Sequence, residues 1–193
     1  MNTLVSVNNL SKNFSSFEAV KEISFKINES EILGLLGPNG CGKTTTIGMM
    51  LGLLKPTSGE VIINGLNVEK NRINLLKKMN FISPYIELPK KLTVKENLMV
   101  YGKLYSVYDI NNRIDYLTET LRLGEFINKK TGELSSGQKN RDSLAKAVVN
   151  DPDILLLDEP TAALDPETGD FVRTFIEKIS SEKKMSILLA SHN

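Results

Sequence analysis

The chain has 193 residues, with 24 Lys and Arg against 23 Asp and Glu and a formal net charge of +1. That length accommodates one domain with room for a subdomain, and the near-neutral balance excludes the strong positive field that would draw nucleic acid or anionic lipid. No apolar run reaches membrane-spanning length, Met1 to Ser6 lacks the order of a signal peptide, and Cys41 has no second cysteine to pair with, so a soluble cytosolic chain is expected.

Thr3 to Val7 alternates as a strand, and Ala19 to Ile27 does so again through Val20, Ile23, Phe25 and Ile27. Ser11 to Phe17 reads as a polar loop with two aromatics, of which Phe14 either stacks on a flat heterocycle or anchors the loop to the core. Glu31 to Leu36 is a short apolar run suited to a strand buried on both faces. It feeds Gly37-Pro38-Asn39-Gly40-Cys41-Gly42-Lys43-Thr44-Thr45, and a helix follows through Ile47, Met50, Leu51 and Leu54, ending near Lys55-Pro56.

Strand, glycine-rich loop and helix, with Gly, four residues and then Gly-Lys-Thr, make a phosphate-binding loop. Glycines let the backbone aim several N–H groups inward, and the helix turns its positive dipole end to the same point. Lys43 is expected to reach the β- and γ-phosphates and the Thr44 hydroxyl to ligate Mg²⁺. The alternative is a glycine turn that binds nothing.

Ser58 to Gly65 reads as a strand closed by a turn, Arg72 to Met79 as a short helix, and Phe81 to Ser83 as a strand that Pro84 and Pro89 prevent from continuing. Thr93 to Tyr105 and Asp109 to Leu123 are amphipathic helices with Thr93 and Asp109 as N-caps and Gly124 as a stop. They belong to a helical subdomain running from about Tyr85 to about Asn150. Its last helix opens at Ser135-Ser136-Gly137-Gln138, where Ser135 or Ser136 is a simple cap, or Ser135 and Gly137 form a second phosphate-binding edge.

Asp153 to Pro160 carries a buried aliphatic strand with Asp158 and Glu159 where it emerges, the end at which parallel sheets bind ligands. Asp158 is placed for a Mg²⁺ shell and Glu159 to polarise an attacking water; a solvated acidic turn is the alternative. Asp165-Pro166 caps a helix through Ser180, Met185 to Ala190 is a last buried strand, and His192 just beyond it is either a frayed end or a site residue at the same sheet edge.

In this order the stretches resemble the nucleotide-binding ATPase subunit of an ABC transporter over nearly the whole chain. Gly37 to Thr45 matches Walker A, Leu134 to Gln138 resembles the LSGGQ signature, and Ile154 to Glu159 resembles Walker B with the catalytic glutamate. Ala162-Ala163-Leu164-Asp165 looks like the D-loop, His192 falls at the switch histidine, and Phe14 at the aromatic A-loop position. The resemblance implies an α/β fold with a P-loop (RecA-like) core sheet, helices on both faces, an N-terminal antiparallel β portion and an inserted α-helical subdomain. It divides the chain into 1–84 (first part of the ATP-binding core), 85–150 (helical subdomain) and 151–193 (second part of the core).

By the same resemblance the cofactors are ATP and Mg²⁺. ATP would be held by Phe14, Gly37, Asn39, Gly40, Cys41, Gly42, Lys43, Thr44 and Thr45, the metal by Thr44 and Asp158, with Glu159, His192 and Lys43 in catalytic roles. Ser135, Gly137 and Gln138 would act in trans, across a head-to-tail dimer with a second nucleotide-binding domain. A separate transmembrane permease is the other partner, nucleic acid is not one, and the expected location is the cytoplasmic face of the cell membrane. Leu92 to Leu98 looks like the branch serving exporters. The alternatives are a soluble ABC ATPase not tied to transport and a nucleotide-binding module with impaired hydrolysis.

Four departures stand out. Ser136 replaces a signature glycine, and Pro84 stands where the family carries its Q-loop glutamine, with Ser83 or Tyr85 as the available substitutes. Asp142 sits at a usually apolar position and is expected to form a surface ion pair with Lys139 and Lys146. The family's domain also continues through further strands and a helix beyond the point matching Asn193, so a longer subunit is expected.

Overall fold

The computed structural model describes residues 2–84, 86–162 and 164–192. Two sheets organise it. The first is antiparallel, built from β1 (Thr3–Phe14), β2 (Phe17–Asn28), β4 (Ser58–Ile63) and β5 (Leu66–Asn67) in the order β2-β1-β4-β5. The second is parallel, built from β3 (Ile32–Leu36), β6 (Met79–Ile82), β7 (Ile154–Asp158) and β8 (Ser186–Ser191) in the order β3-β8-β7-β6.

All five residues of β7 are buried, and their alternation separates two apolar cores. Ile154 and Leu156 join Leu188 and Ala190 against β1, β4 and helix α1 (Lys43–Met50). Leu155 and Leu157 join Ile187 on the other face, against α3 (Val94–Leu104), α4 (Ile110–Thr120), α5 (Ser136–Val148) and α6 (Pro166–Lys183). A strand with two covered faces requires such a continuous aliphatic run.

The helix starts follow their caps. The Thr93 hydroxyl accepts from Glu96 N at 3.1 Å while Glu96 Oε2 accepts from Thr93 N at 2.8 Å, closing a capping box at α3. Asp109 and Asp165 cap α4 and α6 through their side chains, and Pro166 takes the first position of α6. Helix α2 (Val68–Leu76) starts before the expected Arg72, because Asn67 Oδ1 accepts from Glu69 N at 3.1 Å and serves as its cap.

Three expectations are corrected. Ser11 to Phe17 is not a loop: β1 runs to Phe14 and turns through Ser15-Ser16 directly into β2, with Phe14 opposite Phe17. Interruptions of register along β1 break the simple alternation that identifies a strand. Strand β3 is not buried on both faces. It lies at one side of the parallel sheet with Ile32 42% and Leu36 71% exposed, while Leu33 and Leu35 pack on the core.

Asp142, third, is not at the surface. It is fully buried, and its Oδ2 accepts the Thr131 hydroxyl at 3.0 Å, while Thr131 Oγ1 accepts from Asn97 Nδ2 at 2.8 Å. Lys146 instead covers the Tyr101 ring at 5.1 Å. The other Asp142 oxygen has no hydrogen-bond partner. Burial pushes the Asp142 carboxyl up to about 6, against the smaller lowering effect of the Thr131 hydroxyl.

A carboxyl whose folded pKa is raised holds its proton more tightly in the fold than in the unfolded chain. Stability therefore falls as pH rises from the unfolded value through about 6, by on the order of 3 kcal/mol in all. Asp142→Asn keeps the shape and removes the ionisation. Its stability gain over wild type should be larger at pH 7.5 than at pH 4.5 by about 2 kcal/mol in urea unfolding. An equal gain at both pH values would show that Asp142 does not ionise at the expense of the fold.

Candidate functional site

The loop after β3 is shaped by contacts that only certain residues permit. Gly37 N donates to Ser191 O at 3.2 Å, tying the loop's start to the end of β8, and Cys41 N donates to Pro38 O at 3.3 Å. Gly42 adopts φ 92°, and a Cβ there would lie 2.3 Å from Ala19 O in β2, so glycine alone lets the loop pass. Gly42 is also the N-cap of α1 and brings no capping side chain, leaving the helix end for a ligand. Lys43, 7% exposed, folds back: its Nζ donates to Gly37 O at 2.6 Å and to Pro38 O at 3.1 Å.

Across the loop stands the exit of β7. The Thr44 hydroxyl donates to Asp158 Oδ2 at 2.6 Å, joining two stretches 114 residues apart. Glu159 turns sharply with φ 51°, its N–H donating to Ala190 O at 2.9 Å and its carbonyl accepting from Ala162 N at 3.0 Å. Its Oε1 lies 3.7 Å from Lys43 Nζ and 2.8 Å from His192 Nδ1, and its Oε2 accepts from the Ser191 hydroxyl at 3.5 Å. Oε1 has no aligned hydrogen-bond donor, and the Lys43 ammonium acts on it through charge.

A cleft of about 420 Å³ connects these groups. Phe14, Asn39, Gly40, Gly42, Lys43, Thr44, Thr45, Asp158 and Glu159 line it, with His192 reached through Glu159 and with Gly37 and Cys41 inside the loop itself. Phe14 is 44% exposed at the hairpin end, with the Lys12 ammonium 5.1 Å from its ring centroid. Phe17 and Ala19 also line the cleft, and no sequence motif marks either of them. The turn that brings Phe17 beside Phe14 is the two-residue Ser15-Ser16 connection, which the polar composition disguises as a loop.

Ser135, Gly137 and Gln138 do not line this cleft. The Ser135 hydroxyl accepts from Gln138 N at 3.3 Å and Gln138 Oε1 accepts from Ser135 N at 3.1 Å, a capping box at α5. Gly137 packs on α6, where a Cβ would lie 3.2 Å from Thr168 Oγ1. A second cavity, about 210 Å³, takes in Ser83, Pro84, Ser136 and Asn140, and Glu159 stands between it and the cleft. Tyr85 and Ala163, of the Q-loop and D-loop expectations, lie outside the described residues.

Among the described residues no group of three or more His, Cys, Asp and Glu is arranged to hold a metal. Thr44 Oγ1 beside Asp158 Oδ2 still suits Mg²⁺, which keeps waters and takes phosphate oxygens rather than a full protein cage.

Residues 20–162 match the ABC transporter family model. The bacitracin transport ATP-binding protein BcrA of Bacillus licheniformis is 36% identical over 195 residues, covering 100% of this chain and 62% of that protein. The Nod factor export ATP-binding protein I of Burkholderia lata is 37% identical over 186 residues, covering 95% of this chain and 61% of that protein. The chain thus spans about three-fifths of the length of these relatives. A dimeric post-hydrolysis ATP-binding cassette, MJ0796 bound to ADP and Pi, superposes with a TM-score of 0.88 at 28% identity, covering 98% of this chain and 88% of that one.

Cys41 is exposed within the loop, so a bulky thiol adduct would fill the space a phosphate needs. Alkylation of Cys41 is expected to abolish binding of a fluorescent ATP analogue, and saturating ATP to slow alkylation at least about tenfold, measured by mass spectrometry. Equal labelling rates with and without ATP would place the thiol away from the bound nucleotide.

Proposed function

The chain belongs to the ABC transporter family, and from that premise we propose that it binds and hydrolyses ATP to drive a membrane transporter, specifically an exporter. The observation that carries this reading is the convergence of Lys43, Thr44, Asp158 and Glu159 on one cleft. Phosphoryl transfer needs position and charge more than covalent chemistry, and this convergence supplies both.

In this reading the loop and the N-terminus of α1 cradle the phosphates, and Lys43 exchanges the carbonyls of Gly37 and Pro38 for the β- and γ-phosphate oxygens. Phe14 stacks on the adenine. Thr44 and Asp158 would hold Mg²⁺, which would supply charge neutralisation on the phosphates. Glu159, released from Lys43 by that exchange, orients and polarises the attacking water, and His192 steadies its carboxylate from the far side. Segments 1–84 and 151–193 act as the two parts of the ATP-binding core and 85–150 as the helical subdomain.

Ser135, Gly137 and Gln138 lie away from the cleft, which supports a role on the ATP of a second copy in a head-to-tail dimer. The related cassette with ADP and Pi is dimeric, which supports the same arrangement. No helix among the described residues is long and apolar enough to cross a membrane. Coupling to transport is assigned to a separate permease, with this subunit at the cytoplasmic face. Export is favoured because one relative is an export ATP-binding protein. Pro84, which lines the cavity next to Glu159, supports a second reading in which hydrolysis is slow, since proline offers no side-chain donor or ligand there.

Glu159→Gln should leave ATP binding intact, lower phosphate release by roughly 10²- to 10⁴-fold, and trap a dimer under saturating Mg-ATP. Light scattering together with a phosphate-release assay reads all three outcomes; a monomer in that variant would count against the paired arrangement. A wild-type chain that binds ATP yet releases phosphate no faster than the variant would select the second reading.

A further inference from the structure

The helix that opens with the signature residues is also tied to the turn that carries Glu159. Asn140, one turn into α5, donates from Nδ2 to the carbonyl of Pro160 at 2.9 Å. The backbone of Glu159 is fixed on one side by its N–H bond to Ala190 O, and its carbonyl closes the turn onto Ala162 N. The Pro160 carbonyl lies between those two anchors. Asn140 therefore adds a side-chain anchor to the peptide between Pro160 and Thr161, the middle peptide of that turn.

Two further observations indicate that this contact is selective. Asn140 Oδ1 is buried without a hydrogen-bond partner, so the side chain holds the Pro160 carbonyl while leaving its own acceptor unpaired. Glu159 has a left-handed backbone, which a non-glycine residue keeps only when its surroundings hold it there.

We propose that Asn140 is a positioning residue that sets the Glu159 turn and links it to the signature helix. The inference rests on the reading above, in which α5 serves the ATP shared with a partner copy and Glu159 serves this chain's own ATP. Through Asn140, engagement of α5 at one site reaches the carboxylate at the other. The link is short: Asn140 stands four positions after Ser136 in the helix, and Pro160 follows Glu159 directly.

The test compares the wild-type chain with Asn140→Asp, an isostere that cannot donate to a carbonyl when ionised, and with Asn140→Gln, which keeps the amide donor. Asn140→Asp should lower kcat for phosphate release on the order of 10- to 100-fold, leave the Kd for a fluorescent ATP analogue within about twofold, and bring the Hill coefficient for ATP close to one. Asn140→Gln should retain kcat within about threefold and keep the cooperativity. Hydrogen exchange at the Thr161 and Ala162 amides, measured without nucleotide, should speed up in Asn140→Asp and not in Asn140→Gln. Where the Asp variant does not fold, Asn140→Ser replaces it with the same expectations.

Unchanged exchange at those amides overturns the positioning role whatever the ATPase assay gives. Altered exchange with wild-type kcat and cooperativity overturns the link between the sites. A wild-type chain that releases no phosphate, with the exchange effect present, overturns the proposed function and leaves Asn140 as the holder of the turn.

Discussion

The hydrogen bond from Thr44 to Asp158 sets the geometry on which the rest of the site depends. One partner stands at the start of α1 and the other at the last residue of β7, so the 2.6 Å contact forms only when that helix and that strand are docked in register. The docking is apolar. Ile47 and Met50 of α1 pack in the same core as Ile154 and Leu156 of β7, with β1 and β4 closing the far side. Burying side chains of this size stabilises each by about 1.5–3 kcal/mol, enough to hold a polar pair that alone contributes only about 1 kcal/mol. The loop is constrained from a third direction, because Gly42 passes within a carbon atom's clearance of the β2 backbone.

The helix α5 is fixed in a comparable way at its far end. Asn80 Nδ2 donates to Ala147 O at 2.7 Å and is itself oriented by the Tyr105 hydroxyl, which donates to Asn80 Oδ1 at 2.8 Å. Arg113 Nε donates to Val149 O at 3.1 Å, and its guanidinium also reaches the Val148 carbonyl and Asp151. These contacts occupy carbonyls that a helix terminus leaves without partners and set a cation at its negative end. With its last turn clamped to β6 and α4, α5 presents its opening residues as a rigid edge.

Much of this was legible in sequence because the signals were local. The glycine loop, the aliphatic run before Asp158 and Glu159, and the caps at Thr93, Asp109 and Asp165 each depend on a few neighbouring residues and stand where they were expected. Apart from the early start of α2 at its local Asn67 cap, the failures needed distant partners. Asp142 looks like an exposed helical charge until Thr131 and Asn97 arrive from other elements to enclose it. Register shifts in β1 erase its alternation, and the exposure of Ile32 and Leu36 depends on which strand lies beside β3. The Asn140 contact with Pro160 joins residues 20 apart through a side chain whose type gives no hint of its target.

Lys43 has a consequence for the rhythm of the proposed cycle. The ammonium bonded to the carbonyls of Gly37 and Pro38 gives the loop its own resident cation. Nucleotide entry then swaps one set of charge-assisted bonds for another, so the net gain is smaller than a count of phosphate contacts suggests. The same bonds would hold the loop's shape between nucleotides, so that in the proposed cycle a successive turnover would not spend the conformational entropy of shaping it again. In the proposed cycle such a cradle would let product go easily and take up the next nucleotide without being rebuilt, which would suit a subunit that must empty itself after every stroke.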